Sequence, residues 1–336
     1  MSFDETKWVW INGKLTNWHA ATVHVSTHAL HYGTGVFEGI RCYATPQGPA
    51  LFRLDAHLER LFSSAAVYGI RIPYSKDELQ DAVCDTVRSN SFASCYVRPI
   101  CYYGSGGLSL NARSCPVDVA ILAWPWGAYL GEDSAERGVR VTLASWEKFH
   151  SRALPTTAKG CGGYLNSMLA AKEADDAGYD EALLLDENGN IAEGSGENLF
   201  VVRGGRLVTN DERSSILLGI TRDSVIQLAL NLGIEVEIRA LTPNDLSTAD
   251  EAFFTGTAVE VTPIRELQGA SIGSGTCGPL TAQIRRAFLA AVSGMDPRYS
   301  SWLHSVSSES ALPHSARFDV EQNSRSFPES LRAGSE

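Results

Sequence analysis

Lysine is scarce in this chain. Only six of the 336 residues are lysine: Lys7, Lys14, Lys76, Lys148, Lys159 and Lys172. Positive charge is short overall, with 28 Lys and Arg against 39 Asp and Glu, a net charge of −11. That excludes a general nucleic-acid binder, which needs a basic stripe, and an adsorber to anionic membranes. It leaves room for a local cationic pocket. No stretch approaches the ~18 continuous apolar residues of a membrane span. The N-terminal "MSFDETKWVWING" has no basic segment followed by an apolar run, so no secretion signal is expected. None of the seven cysteines forms a C-x-x-C pair, a pattern expected of reduced thiols in the cytoplasm.

What remains is an ordinary globular composition, 44% hydrophobic and 20% charged, long enough for about two domains. "WVWINGKLTNW" reads as a hairpin around an Asn-Gly turn. "RLDAHLERLFSSAAVYGI" and "KDELQDAVCDTVRSN" carry helical periodicity, and "SCYVRPICYYG" and "VDVAILAWPW" read as strands. Further strands ("VRVTLASW", "EALLLD", "ENLFVVRGGRLVT", "EAFFTGTA") alternate with helices downstream. The expected class is α/β (α+β): a small N-terminal domain over 1–125, a turn-rich connection at 126–137 and a larger domain over 138–304. The Ser-rich segment 305–336 is expected to be disordered.

Several motifs invite chemistry that their context does not support. "GSGTCG" (273–278) matches G-x-G-x-x-G but follows a polar turn, with too little chain left for a βαβ unit. "GASIG" (269–273) matches G-x-S-x-G without the strand–turn–helix that strains a nucleophile. Cys161 has no local feature to lower its thiol pKa. His28 and His31 lie three apart, but no third metal ligand is identifiable, so hydrogen-bonded structural roles are expected.

The lysines can be sorted by neighbourhood. Lys7, Lys14, Lys76 and Lys172 have solvated settings, and Lys148 in "SWEKFHSR" is ambiguous. Lys159, in "LPTTAKGCGGYLNS", is different. Small residues surround it, no acid is near in sequence, and the flanking glycines would admit a ligand's close approach. A desolvated amine with a lowered pKa attacks carbonyls. A Schiff-base lysine and an ordinary loop lysine both fit. "NGNIAEGSGENLF" (188–200) adds Glu193 beside a Gly-Ser-Gly turn, "LLGITRD" (217–223) opens a helix whose free N–H groups suit phosphate, and "FFTGTAVEVTP" (253–263) ends a strand in a small-residue loop.

Taken in order, "HALHYGTGVFEGIRCY", "YVRP", "PWGAYLG", "PTTAKGCGGYLNS", "EGSGENLF", "GITRD" and "FTGTAVEVTPI" resemble the branched-chain amino acid aminotransferases, fold-type-IV pyridoxal-phosphate enzymes, from about Trp8 to Trp302. The resemblance implies that Lys159 bonds covalently to pyridoxal 5′-phosphate and later moves a proton at the substrate's Cα. It implies that Tyr164 bonds the cofactor's phenolic oxygen, that Glu193 pairs with its ring nitrogen, and that Leu217 packs on the ring face. Arg60, Ile220, Thr221 and Thr257 would hold the phosphate. Tyr32, Phe37, Trp126, Tyr129 and Tyr164 would form the substrate wall, with Leu110 reaching from a partner subunit. Arg98, helped by Tyr32 and Tyr129, would take the distal carboxylate of glutamate. Tyr96 and the Thr257–Ala258 amides would take the α-carboxylate, with Arg41 orienting these groups.

The implied reaction transfers the amino group of leucine, isoleucine or valine to 2-oxoglutarate, in a cytoplasmic homodimer or hexamer. A D-amino acid aminotransferase, an (R)-amine transaminase or an aminodeoxychorismate lyase would share the lysine and the glutamate. "YVRP", "GTAVEVTP" and "PWGAYLG" favour the branched-chain class. Two departures stand out: Gly163 replaces a common Asn, and Leu218 stands where Pro is expected.

Overall fold

The computed structural model describes residues 5–127, 130 and 133–306. Strands β1 (Trp8–Ile11) and β2 (Lys14–Asn17) form the expected hairpin. Asn12 and Gly13 take φ of 48° and 94°, the left-handed pair that a two-residue turn of this twist requires. Then come α1 (His28–Tyr32), β3 (Gly35–Phe37), β4 (Ile40–Thr45), β5 (Gly48–Phe52), α2 (Leu54–Val67), α3 (Lys76–Ser89), β6 (Cys95–Tyr103) and β7 (Val117–Trp124). These strands form an antiparallel sheet, ordered β5-β4-β6-β7-β1-β2 with β3 also on β6. Ser75 and Glu78 cap α3 reciprocally, which fixes where it starts. Leu58, Leu61 and Ala65 of α2 and Leu79, Val83 and Val87 of α3 bury one stripe each in the same core as Val97, Val119 and Ile121 of the sheet.

A second, mixed sheet holds β8 (Val139–Leu143), β9 (Glu181–Leu185), β10 (Ile191–Gly194), β11 (Asn198–Arg203), β12 (Arg206–Thr209), β13 (Val236–Ile238), β14 (Glu251–Gly256), β15 (Glu260–Leu267) and β16 (Ala270–Ser271). Its order is β10-β9-β8-β15-β14-β11-β12-β13, with β16 on β15. Its helices are α4 (Ser134–Arg137), α5 (Tyr164–Asp176), α6 (Ile220–Asn231), α7 (Pro243–Ser247) and α8 (Pro279–Val292). Alternate residues of β11 enter different cores: Leu199 and Val201 join one, Phe200 and Val202 pack with Val225, Leu228 and Phe288 of α6 and α8. Both faces are therefore covered, so "NLFVV" reads as a continuous apolar run rather than an alternation.

One segment departs from the expected division. The last strand, β17 (Leu303–Ser305), pairs with β5 and extends the edge of the first sheet. Apolar contact draws it there: Trp302 packs edge-on against Phe52 at 5.8 Å, and Phe52 meets Phe288 of α8 at 5.7 Å. Phe52 thus ties the two sheets together.

The discarded motifs have plain structural roles. The segment 273–278 leads into α8, where Glu251 accepts the free amides of Leu280 and Thr281 at 3.0 and 2.7 Å. The anion-binding end of that helix is filled by the chain's own acid. Ser271 lies on the exposed two-residue edge strand β16. His28 bonds Thr34 and the Ser109 carbonyl, and His31 bonds the Val25 carbonyl. Burial pushes the Cys161 thiol pKa up. All seven cysteines are free thiols.

Candidate active site

Lys159 is held by its backbone before its side chain does anything. Its N–H donates to Ser64 Oγ on α2 at 3.0 Å, and its carbonyl accepts the Phe37 N–H of β3 at 3.2 Å. The neighbouring Gly160 bridges to Val36. Gly160 borders the cleft, but the Cβ it lacks would lie 2.6 Å from the Tyr68 hydroxyl; Gly162 lies so close to Gly33 that a Cβ added to Gly33 would come within 2.9 Å of the Gly162 Cα. Gly160 therefore serves chain-to-chain packing, a need separate from the ligand access expected from the sequence. Gly163 has its own reason. A Cβ there would press to 3.1 Å on the Phe149 ring, which lines the same cleft.

The half-buried side chain donates from Nζ to Tyr164 Oη at 2.6 Å. Burial pushes the amine pKa down to about 8, and the positive charges of Arg60 and, more weakly, Arg98 act the same way; Glu38 and Tyr96 oppose them. The Tyr164 hydroxyl is pushed well up by burial and then by Glu193. Near neutral pH the site therefore holds a neutral phenol beside an amine that is in part unprotonated.

Glu193 comes from β10, where the register slips between Ile191 and Gly194, a bulge that re-aims the side chain. It is buried, and Lys148 Nζ lies 2.7 Å from its Oε1. Its Oε2 accepts the Leu217 N–H at 3.0 Å and Asn198 Nδ2 at 3.2 Å, and Asn198 also donates to the Leu217 carbonyl at 2.8 Å. The two cleft lysines are thereby distinguished. Lys148 is tied to a carboxylate, whereas Lys159 is presented as an amine to a phenol.

The anion end of the cleft lies at the start of α6. Its N-cap is Gly219, with no side-chain cap, so the first amides, at Ile220 and Thr221, have no side-chain acceptor. Arg60 donates to the Leu218 carbonyl at 3.1 Å, which sets its guanidinium beside that helix start. Thr255 Oγ1 is buried with no hydrogen-bond partner among the described residues, and Thr255 borders the cleft with Gly256 and Thr257. Arg60, Lys148, Lys159, Tyr164, Glu193, Leu217, Ile220, Thr221 and Thr257 all line one opening of about 680 Å³, its mouth included.

A family profile described as Amino-transferase class IV matches residues 35–267, more than half the chain. This chain belongs to the class IV aminotransferase family. It is 47% identical over 294 residues to a branched-chain-amino-acid aminotransferase of Pseudomonas aeruginosa, covering 88% of this chain and 95% of the relative. An Escherichia coli enzyme of the same description is 45% identical over 307 residues, 91% of this chain and 99% of its own. The crystal structure of an Escherichia coli branched-chain amino acid aminotransferase superposes with a TM-score of 0.88 at 45% identity, over 90% of this chain and 99% of that one. A branched-chain amino acid aminotransferase from T.th., complexed with N-(5′-phosphopyridoxyl)-L-glutamate, gives 0.87 at 46%, with the same coverage. The chain thus has the fold-type-IV architecture and is an aminotransferase of the branched-chain group.

The other aminotransferase positions fall beside the cleft to different degrees. The Phe37 ring packs tilted against Tyr164, with centroids 4.8 Å apart, and its centroid lies 5.0 Å from Lys159 Nζ. Arg98 sits over Phe37 at 4.6 Å, Tyr96 at 5.5 Å and Trp124 at 5.8 Å, and its Nε has no hydrogen-bond partner among the described residues. Trp126 packs 4.7 Å from Tyr96. Arg41 donates to the Ala258 carbonyl at 3.4 Å and lies 3.6 Å from Glu260, which also accepts from Tyr43 at 2.8 Å. Arg41 and Tyr43 thereby pin the 257–260 loop to the first sheet. Tyr32 is 43% exposed, bonded to the Leu108 carbonyl, and Leu110 is 80% exposed. Neither borders the Lys159 cleft of its own chain. Tyr129 lies outside the described residues.

The sequence leaves Lys148 undecided, shows Asn198 beside Glu193 without a role, and does not single out Glu38, His57 or Ser64. A signal for Glu38 was present: an acid inside the apolar strand run "GVFEGI" cannot be buried unpaired. Glu197 also lines the cleft, its carboxyl pushed well up by burial and then by Glu181.

Proposed function

We propose that this aminotransferase binds pyridoxal 5′-phosphate and transfers the amino group of L-leucine, L-isoleucine or L-valine to 2-oxoglutarate, giving branched 2-oxo acids and L-glutamate. The observation that carries this reading is the Lys159 amine, lowered to about 8 and bonded to Tyr164, in one cleft with Glu193 and Arg60. The donor set fits the group. Arg60 and the uncapped amides of Ile220 and Thr221 suit a phosphate, Tyr164 a phenolate oxygen and Glu193 a ring nitrogen. Bound pyridoxal phosphate supplies an electron sink for charge at the substrate's α-carbon. Lys159 Nζ takes and returns the proton at that carbon, and Leu217 confines the ring.

Specificity needs one wall for an isobutyl-like side chain and for a second carboxylate. Phe37, Tyr96 and Trp126 give apolar faces, and Arg98 lies over the rings of Phe37 and Tyr96 with no acid paired to it among the described residues. The Thr257–Ala258 amides, fixed through Arg41, suit the α-carboxylate. Arg98→Met is expected to raise the KM for 2-oxoglutarate about tenfold or more, the value of a charge-assisted bond, while changing that for L-leucine less than about threefold. Half-reaction kinetics with each substrate check this. Purified protein with pyridoxal phosphate should convert L-leucine and 2-oxoglutarate; turnover of D-alanine without L-leucine would reject the substrate assignment.

Exposed apolar surface supports the proposed assembly. Val25, Leu30 and Leu110 are 76%, 63% and 80% exposed, and Leu30 borders an apolar groove also lined by Val9, Trp18 and Val23. A patch of this kind suits a second copy of the chain, with Leu110 reaching the partner's substrate wall. Sedimentation should show a homodimer or a multiple of it, and Leu110→Asp should shift it toward monomer. The proposed compartment is the cytoplasm, in keeping with seven free thiols.

A further inference from the structure

Behind the anion end of the cleft stands a buried acid to which the reaction assigns no part. Glu38 has no exposed surface, and His57 is 1% exposed. Glu38 Oε1 accepts Arg60 Nε at 2.6 Å; Oε2 accepts Arg60 Nη2 at 2.8 Å and His57 Nδ1 at 2.7 Å. We propose that Glu38, steadied by His57, is a positioning residue that turns Arg60 into a pre-aimed phosphate clamp at the start of α6.

The donor count supports it. A guanidinium has five N–H groups. Two go to Glu38 in a side-on fork and one goes from Nη1 to the Leu218 carbonyl, which leaves one on each terminal nitrogen. The fork fixes the plane, and the Leu218 bond fixes which edge faces the helix start. An arginine on a helix without these anchors would lose rotamer freedom only on binding, at a cost to affinity.

The charge arrangement is consistent with this. Burial alone would raise the Glu38 carboxyl, but the charge and hydrogen bonds of Arg60, followed by the hydrogen bond from His57, outweigh it and hold it well below the usual carboxylate range. Burial lowers the His57 pKa against the opposing pull of Glu38, so the ring is neutral and carries its proton on Nδ1, toward the acid. The arrangement is local to one helix face. His57, Arg60 and Ser64 follow at helical spacing, so the face of α2 that aims Arg60 also holds the Lys159 backbone through Ser64. Glu38 follows directly on Phe37, whose N–H bonds the Lys159 carbonyl.

This inference rests on the proposed cofactor, and its test separates the two. The full-length apoprotein is titrated with pyridoxal phosphate and with pyridoxal, which lacks the phosphate, and with inorganic phosphate as competitor. The wild-type protein should prefer the phosphate ester strongly. Glu38→Gln should weaken the ester and inorganic phosphate by about ten- to hundredfold, as expected for losing charged hydrogen bonds, and pyridoxal by less than about threefold. In an Arg60→Met background, Glu38→Gln should change the ratio no further. A purely structural acid would weaken both aldehydes equally; that result, or an unchanged ratio, overturns the inference. A wild type without preference for the ester overturns the cofactor reading, and the inference with it. Should Glu38→Gln fail to fold, His57→Phe removes one of the acid's donors, and the same ratio decides: a partial fall supports the clamp and an unchanged ratio refutes it.

Discussion

Lys159→Ala is expected to lower turnover by more than about 10⁴-fold, because it removes a covalent anchor and a proton carrier that alone contributes ~10²–10⁴. The same change in Lys148 should not remove covalent attachment. Borohydride reduction of the loaded enzyme followed by peptide mapping should mark Lys159 and leave Lys148 unmodified. The geometry sets the order. Lys148 Nζ is engaged by a buried carboxylate at 2.7 Å, while Lys159 Nζ has, among the described residues, a phenol alone in hydrogen-bond contact. Below pH 8 the reactive fraction of Lys159 falls about tenfold per unit, so capture of the aldehyde by apoprotein should rise with pH and level off near 8. An ordinary lysine would level off near 10.5. Between those values the unfolded chain binds a proton that the folded chain has released. Apoprotein stability should therefore gain from this group as pH rises through that window. An inflection at the ordinary value, or label on Lys148, would reject the assignment.

Lys159 could be singled out because its setting is compositional: small residues, three glycines and a tyrosine five positions on can be seen in one short stretch, a setting that by itself also fits an ordinary loop lysine. The elements were legible for a similar reason, since the stripes of α2 and α3 and the Asn-Gly turn are local patterns. What could not be read is what depends on distant partners. Lys148 and Glu193 are 45 positions apart, Arg60 and the Leu218 carbonyl 158, Arg41 and the Ala258 carbonyl 217. Flanking charge left Lys148 ambiguous, although it is buried against Phe149. Leu303 and His304 were placed with the second region and Ser305 with the tail because sequence order suggested it, whereas strand pairing is decided by which edge is open and which apolar surface is near. Arg60 came from the resemblance alone; helical periodicity assigns it to a polar face and cannot show that the face is buried.

Glu193→Ala should cost about 3–5 kcal/mol of stability as well as activity, because it strands the Lys148 ammonium at a site only 7% exposed. The two losses have different causes and can be separated. Lys148→Met in the same chain removes the stranded charge, so the double variant should regain most of the thermal stability. It should not regain turnover, since the ring nitrogen would still lack an acid and the Leu217 N–H and Asn198 amide would still lack their acceptor. Lys148→Met alone leaves Glu193 with two neutral donors, and should destabilise by an amount comparable to the acid's removal. Thermal unfolding and turnover of the four proteins in the cycle measure this. If the double variant recovers activity along with stability, Glu193 is only the counter-ion of Lys148, and its pairing with the cofactor's ring nitrogen is wrong. If neither recovers, the pair is not the unit that the 2.7 Å contact implies.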